Sequence, residues 1–247
     1  MITHEIIGDD MQAVVLNLGA GDVVRAEAGA LMYMTESVEM DAKLEGGLLG
    51  GLKRKLLAGE SLFITYFRGA GPDARLAFAG PYPGKIIHMP LAGQMLCQRD
   101  AFLCATGNID LSIAFTRRLG AGFFGGEGFI LQKMEGTGDL FIHSGGTIVP
   151  VELRAGERLR VDTGCLVALE PTVDYDIARV GGIRTSLFGG EGLFFASLTG
   201  PGRIWMQTLP FSRLAERIHQ AYRSDRDEVK RDFGGALGKI GDIIGGE

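Results

Sequence analysis

GESLFITYFRGAG, residues 59–71, returns twice with the same outline: GEGFILQKMEGTG at 126–138 and GEGLFFASLTGPG at 190–202. Each copy opens on Gly-Glu and a small residue, continues with three apolar residues, and ends on Gly-x-Gly. The glutamates are Glu60, Glu127 and Glu191, almost evenly spaced and with no gap inside any copy. A near-constant period of this kind is the mark of tandem structural units. The runs Leu62–Phe67, Phe129–Met134 and Leu193–Leu198 are short, apolar and bounded by glycine, so they read as buried strands. Gly-x-Gly then reads as a turn, and the runs Arg75–Ala79, Asp139–His143 and Arg203–Gln207 as the second strand of an antiparallel hairpin. Hairpin punctuation is also read at Gly80–Gly84 and at Ser144–Gly146.

A weaker unit precedes each copy: GDVVRAEAGALMYM from Gly21, GQMLCQRDAFLCAT from Gly93 and GERLRVDTGCLVAL from Gly156. Each reads as strand, tight turn, strand, with the small residues Gly29, Ala101 and Gly164 in the turn. The expected fold is all-β: three related modules with a pseudo-three-fold internal repeat, a double-stranded β-helix-like sandwich or barrel. Residues 1–209 form this domain. Helical spacing appears once, in the stripe Phe211, Leu214, Ala215, Ile218 and Tyr222. A C-terminal amphipathic helix is therefore expected over 210–233, followed by a glycine-rich mobile tail over 234–247.

Composition supports this reading. Glycine accounts for 39 of 247 residues and proline for 8, which suits many short strands and tight turns. The hydrophobic fraction is 46%, enough for a full core. Net charge is −5, and the longest basic run is Lys53-Arg54-Lys55, so nucleic acid is not expected as a partner. The longest stretch without charge, Ile86–Gln98, is too short to span a bilayer as a helix. The N-terminus carries no secretory signal pattern. Three cysteines, Cys97, Cys104 and Cys165, suit a reducing cytoplasm.

The segment from Gly46, GGLLGGLKRKLLAGESLF, together with GAGFFGGEGF from Gly120 and SLFGGEGLFF from Ser186, resembles the altered inheritance of mitochondria protein 24 family. The resemblance covers about Met1 to Gln207. It implies a β-rich fold similar to the tryptophan RNA-binding attenuator protein, with double-stranded β-helix character. Mitochondrial members of that family are implicated in inner-membrane organisation and respiratory-chain assembly. The resemblance carries over no catalytic residue.

Glu60, Glu127 and Glu191 have two readings. A carboxylate at a strand entry accepts backbone N–H bonds and fixes the corner. Alternatively, three carboxylates gather near a pseudo-three-fold axis and bind a cation or a basic partner. The segment LLGGLKRKLL, residues 48–57, sets Leu48 and Leu49 beside Lys53, Arg54 and Lys55. It reads either as a loop packed on a neighbouring module or as a contact with an anionic membrane. No GxSxG, P-loop, CxxC pair or HxH motif is present, and neither a catalytic residue nor a cofactor or metal ligand is assigned. The expected function is a non-enzymatic oligomeric scaffold or binding protein. It would self-associate, with a trimer favoured, and bind a protein partner or a membrane surface, in the cytoplasm or at the inner face of a membrane. The rival expectation is a small-molecule or metal-binding protein, or an enzyme, with a pocket between modules.

Overall fold

The computed structural model describes residues 2–27, 29–44, 63–117, 128–179, 194–219 and 221–222. Glu60, Glu127, Glu191, Leu48, Leu49, Lys53, Arg54 and Lys55 lie outside the described residues. So do residues 223–247, where the rest of the expected helix and the expected tail fall. The chain divides into two compact units, Met1–Pro210 and Phe211–Glu247. In the second, residues 211–219 and 221–222 are helical, with Phe211, Ile218 and Tyr222 exposed.

The first unit is built of strands in three successive segments. The first segment follows the leading strand β1 (Thr3–Ile7) and comprises β2 (Ala13–Leu18), β3 (Val23–Glu27), β4 (Leu31–Met34), β5 (Val38–Leu44), β6 (Phe63–Gly69) and β7 (Ala74–Ala79). The second comprises β8 (Gly84–Gln98), β9 (Phe102–Thr106), β10 (Asn108–Arg117) and β11 (Phe129–Gly145). The third comprises β12 (Ile148–Leu153), β13 (Arg158–Asp162), β14 (Leu166–Leu169), β15 (Asp174–Arg179), β16 (Phe194–Thr199) and β17 (Gly202–Gln207).

Pairing follows one scheme throughout, and every named pair is antiparallel. In the first segment β6 lies between β5 and β3, and β7 between β4 and β2. In the third, β16 lies between β15 and β13, and β17 between β14 and β12. In the second, the long strand β11 serves both positions, pairing with β10, β9 and the whole length of β8. Each strand that carries a Gly-Glu copy therefore pairs with the strand just before it in the chain. Leu44 meets Phe63, Arg117 meets Phe129 and Arg179 meets Phe194. Among the described residues the strands form sheets in the orders β1-β2-β7-β4, β12-β17-β14-β8-β11-β9-β3-β6-β5 (with β10 beside β11) and β13-β16-β15. They do not close into a barrel.

The hairpin reading of Gly-x-Gly is corrected. β6 does not pair with β7, nor β16 with β17, and in the second segment the two runs are one strand. In the first and third segments the chain runs on through the glycines from one sheet to another. Glycine is needed for close approach: a Cβ at Gly136 would run into the Asn108 carbonyl oxygen, one at Gly138 into that of Thr106, and one at Gly69 into that of Gly19. The punctuation at Gly80–Gly84 and Ser144–Gly146 is likewise no hairpin, since β7 does not pair with β8 nor β11 with β12. These stretches carry the chain from one segment to the next.

Corners explain why two segments break where the middle one does not. The Asp22 carboxylate accepts the Gly19 N–H at 2.9 Å, and the Glu157 carboxylate accepts that of Arg154 at 2.9 Å. These side chains fold the chain into a turn between β2 and β3 and between β12 and β13. At the matching place β8 has Gly93 directly opposite Gly136, with φ of +132° and +141°, and both strands pass straight through. The strand–turn–strand units stand as expected. Short 3-10 turns at Arg99–Ala101 and Thr163–Cys165 join β8 to β9 and β13 to β14.

Three apolar clusters fill the unit. One gathers Val14, Leu16, Val24, Phe67, Leu76 and Phe78 of the first segment with Leu103 and Phe141 of the second. Another gathers Phe129 and Leu131 of the second with Leu166, Ile177 and Ile204 of the third. A third lies mainly within the second segment, around Phe102, Met134 and Leu140. Buried Gln207 ties the second segment to the third: its Oε1 accepts the Gly145 N–H and its Nε2 donates to the Gly164 carbonyl, both at 2.8 Å.

Candidate functional site

Titratable groups converge at the corner between β3, the β7–β8 connection and the 3-10 turn after β8. β3 pairs with β9 through Val24–Thr106, Arg25–Ala105 and Ala26–Cys104, which brings Glu27 to the turn at Arg99–Ala101. Asp100 is already engaged there: Arg99 donates to its Oδ1 from Nε and Nη2 at 3.2 and 3.1 Å, and Gln98 donates to its Oδ2 at 3.2 Å. Glu27 is largely buried. Burial, and then the charge of Asp100, push its carboxyl up to about 7 against the opposing pull of Arg99. The Tyr82 phenol is held well above its ordinary range by burial, then by Asp100 and Glu27. Cys97 and Cys104 are fully buried thiols, pushed up by desolvation and therefore poor nucleophiles.

His143 sits behind Tyr82, their rings edge to face at 4.7 Å. It is 2% exposed, and burial lowers its pKa despite a hydrogen bond to the Tyr82 backbone. Its Nδ1 has no partner. It is a neutral, packed imidazole; a Cβ at Gly80 would strike its ring.

A second polar group lies on β1, β8 and β11. His88 Nε2 and Asp139 Oδ1 are 2.7 Å apart. Thr106 donates to the other oxygen of Asp139 at 3.3 Å and accepts its backbone N–H at 3.2 Å. The His4 ring stacks obliquely on His88 with centroids 4.1 Å apart, and Phe141 backs both. Sequence spacing missed the histidine pair because its members lie on β1 and β8, with the whole first segment between them. Among the described residues no group of three or more His, Cys, Asp or Glu is placed to hold a metal ion. No described helix is long and apolar enough to cross a membrane.

The third feature is the open side of β4 and of β13, two of the seven strands that pair on one side only among the described residues. β4 pairs only with β7, and β13 only with β16, among the described residues. β4 leaves Met32, Tyr33 and Met34 60, 42 and 39% exposed. On the strands that hold the same place in the other two segments, Cys104, Ala105, Val167, Ala168 and Leu169 are all 0% exposed.

Comparison with known proteins agrees with this architecture. The chain is 32% identical over 210 residues to an uncharacterized protein of Streptococcus pyogenes serotype M6, covering 82% of this chain and 83% of that one. It is similar to the crystal structure of another Streptococcus pyogenes protein, with a TM-score of 0.74 and 29% identity, covering 90% of this chain and all of that one. Residues 4–209, which hold every strand from β1 to β17 but the first residue of β1, match the family described as Mitochondrial biogenesis AIM24, and the chain belongs to that family.

Proposed function

We propose that the protein is a non-enzymatic scaffold that assembles with itself and binds a protein or membrane partner from the cytoplasmic side. The carrying observation is the exposed apolar edge of β4, on a strand whose counterparts are buried. Open strand edges are sites of association unless something blocks them. The family description names biogenesis rather than a reaction, which supports an assembly role. Sedimentation or light scattering at micromolar concentration should show a homo-oligomer, with a trimer the preferred size. A monomer at every concentration would sink the reading.

The membrane contact is assigned to Leu48, Leu49, Lys53, Arg54 and Lys55. Each basic residue near an anionic surface contributes about 1 kcal/mol. Replacing Lys53, Arg54 and Lys55 with glutamine should weaken binding to phosphatidylserine vesicles by up to roughly 100-fold, with the thermal midpoint unchanged. Wild-type binding should fall as salt rises. If wild-type protein ignores such vesicles at low salt, the segment packs within the assembly instead.

A second reading has one observation in its favour. Glu27 and Asp100 come from different segments and share a corner where burial and the charge of Asp100 push the Glu27 carboxyl up to about 7. Paired groups with separated pKa values are common in ligand-binding and catalytic sites. A stoichiometric small molecule on the purified protein, displaced by Glu27→Gln, would replace the scaffold reading.

A further inference from the structure

The strand pairing between segments follows a rule used twice and left unused once. Ala26, five residues before the start of β4, pairs with Cys104, two residues into β9. Cys97, five residues before the start of β9, pairs with Ala168, two residues into β14. The next pair outward is Arg25 with Ala105 in one case and Leu96 with Leu169 in the other. Thus the strand before the turn in one segment pairs, in a fixed register, with the strand after the turn in the next. The third segment's strand before the turn is β13 and the first segment's strand after the turn is β4. These two lie in different sheets and do not pair with each other.

We infer that β13 of one copy pairs with β4 of a second copy in this same register. This rests on the self-assembly proposed above and names its interface. The residue five before β14 is Val161, and the residue two into β4 is Tyr33. The rule therefore pairs Val161 with Tyr33, Arg160 with Met34 and Leu159 with Thr35 of the next copy. Burial supports the occupant: covering β4 with a strand gives Tyr33 and Met34 the surroundings that Cys104, Ala105, Ala168 and Leu169 already have.

Charge fits as well. Arg160 stands six residues before β14, as Arg25 stands six before β4. Arg25 Nη1 donates to the Gly107 carbonyl of the neighbouring segment at 2.9 Å. By the same offset Arg160 reaches Glu36 of the next copy, and Arg158 falls opposite that residue. Glu36, Arg158 and Arg160 are all exposed in the single chain. Each copy offers one β4 and one β13, so the contact is heterologous and builds a ring if it closes or a filament if it does not.

Two singly substituted proteins, Met34→Cys and Arg160→Cys, test the register. Mixed and oxidised, they should give a disulfide-linked pair that neither forms alone beyond the wild-type background from Cys97, Cys104 and Cys165. Arg160→Glu should weaken self-association at least tenfold, and adding Glu36→Arg should restore most of it. Both positions are exposed in the single chain, so its circular dichroism spectrum should not change. If wild type is an oligomer but the mixture does not cross-link, this interface is wrong while the scaffold reading stands. If wild type is a monomer, both fall. If the Met34→Cys/Arg160→Cys double variant cross-links within a single chain, the two edges close on themselves and the interface is wrong.

Discussion

Gly136→Ala should cost the fold roughly 3–5 kcal/mol, while Gly93→Ala, directly opposite it in the same ladder, should cost about 1–3 kcal/mol. Both residues have positive φ, +141° and +132°, so an L-residue is strained at either. The difference lies in space. A Cβ on Gly136 meets the Asn108 carbonyl oxygen and lies 3.1 Å from the Ile109 Cα, all backbone. A Cβ on Gly93 meets nothing within 4 Å. Backbone cannot step aside as a flexible side chain can, and here it belongs to β10, which pairs with β11 through Asn108–Thr137 and Ile109–Gly136. The clash should therefore open the start of the β10–β11 ladder. Thermal unfolding of the two variants measures the contrast. Equal destabilisation would show that backbone strain alone sets the need for glycine here, and that close packing of the strands does not.

The same glycines show what the sequence made legible. Their recurrence, with Gly-Glu and an apolar run, marked three strands at the right places in an all-β fold. Their role was misread, because a glycine that permits a turn and one that permits close approach look alike in a sequence. Only the neighbour across the sheet tells them apart, and the neighbour of Gly136 is Asn108, at the far end of the preceding strand. The polar clusters were hidden for the same reason. Pairing of β3 with β9 brings Glu27 near Asp100, and His4 meets His88 by ring contact between strands of two different sheets. Neither pair has a local spacing to read. The weaker repeat did carry a signal: its strand–turn–strand units place Glu27, Gln98 and Asp162 each just before the turn. Side chains there enter the turn, as Asp162 does in accepting the Gly164 N–H at 2.9 Å. A polar residue recurring at that position marks the corner where Glu27 and Asp100 lie.

Glu27→Gln should stabilise the protein at pH 8 by about 1–3 kcal/mol and make no difference at pH 4. The sign follows from linkage. Burial and Asp100 raise the folded-state carboxyl from 4.5 to about 7, so the native chain holds this proton more tightly than the unfolded chain. The resulting stability is fully present below 4.5 and is lost as pH rises through 7. Above that, wild type carries a charge in a largely buried corner beside a second carboxylate, and glutamine keeps the shape without the charge. His143 works in the other direction. Its lowered pKa means that stability is lost as pH falls below the ordinary histidine range, in variant and wild type alike. It therefore cancels in the difference. Unfolding free energies of the two proteins should converge toward acid and separate between pH 4.5 and 7, then run parallel. Asp100→Asn should compress that separation, because one of the two causes of the shift is gone; desolvation, the larger cause, remains. A difference independent of pH would mean that Glu27 ionises in the folded chain as it does in water. The corner would then be an ordinary polar joint between two segments, and the ligand-site reading would lose its one support.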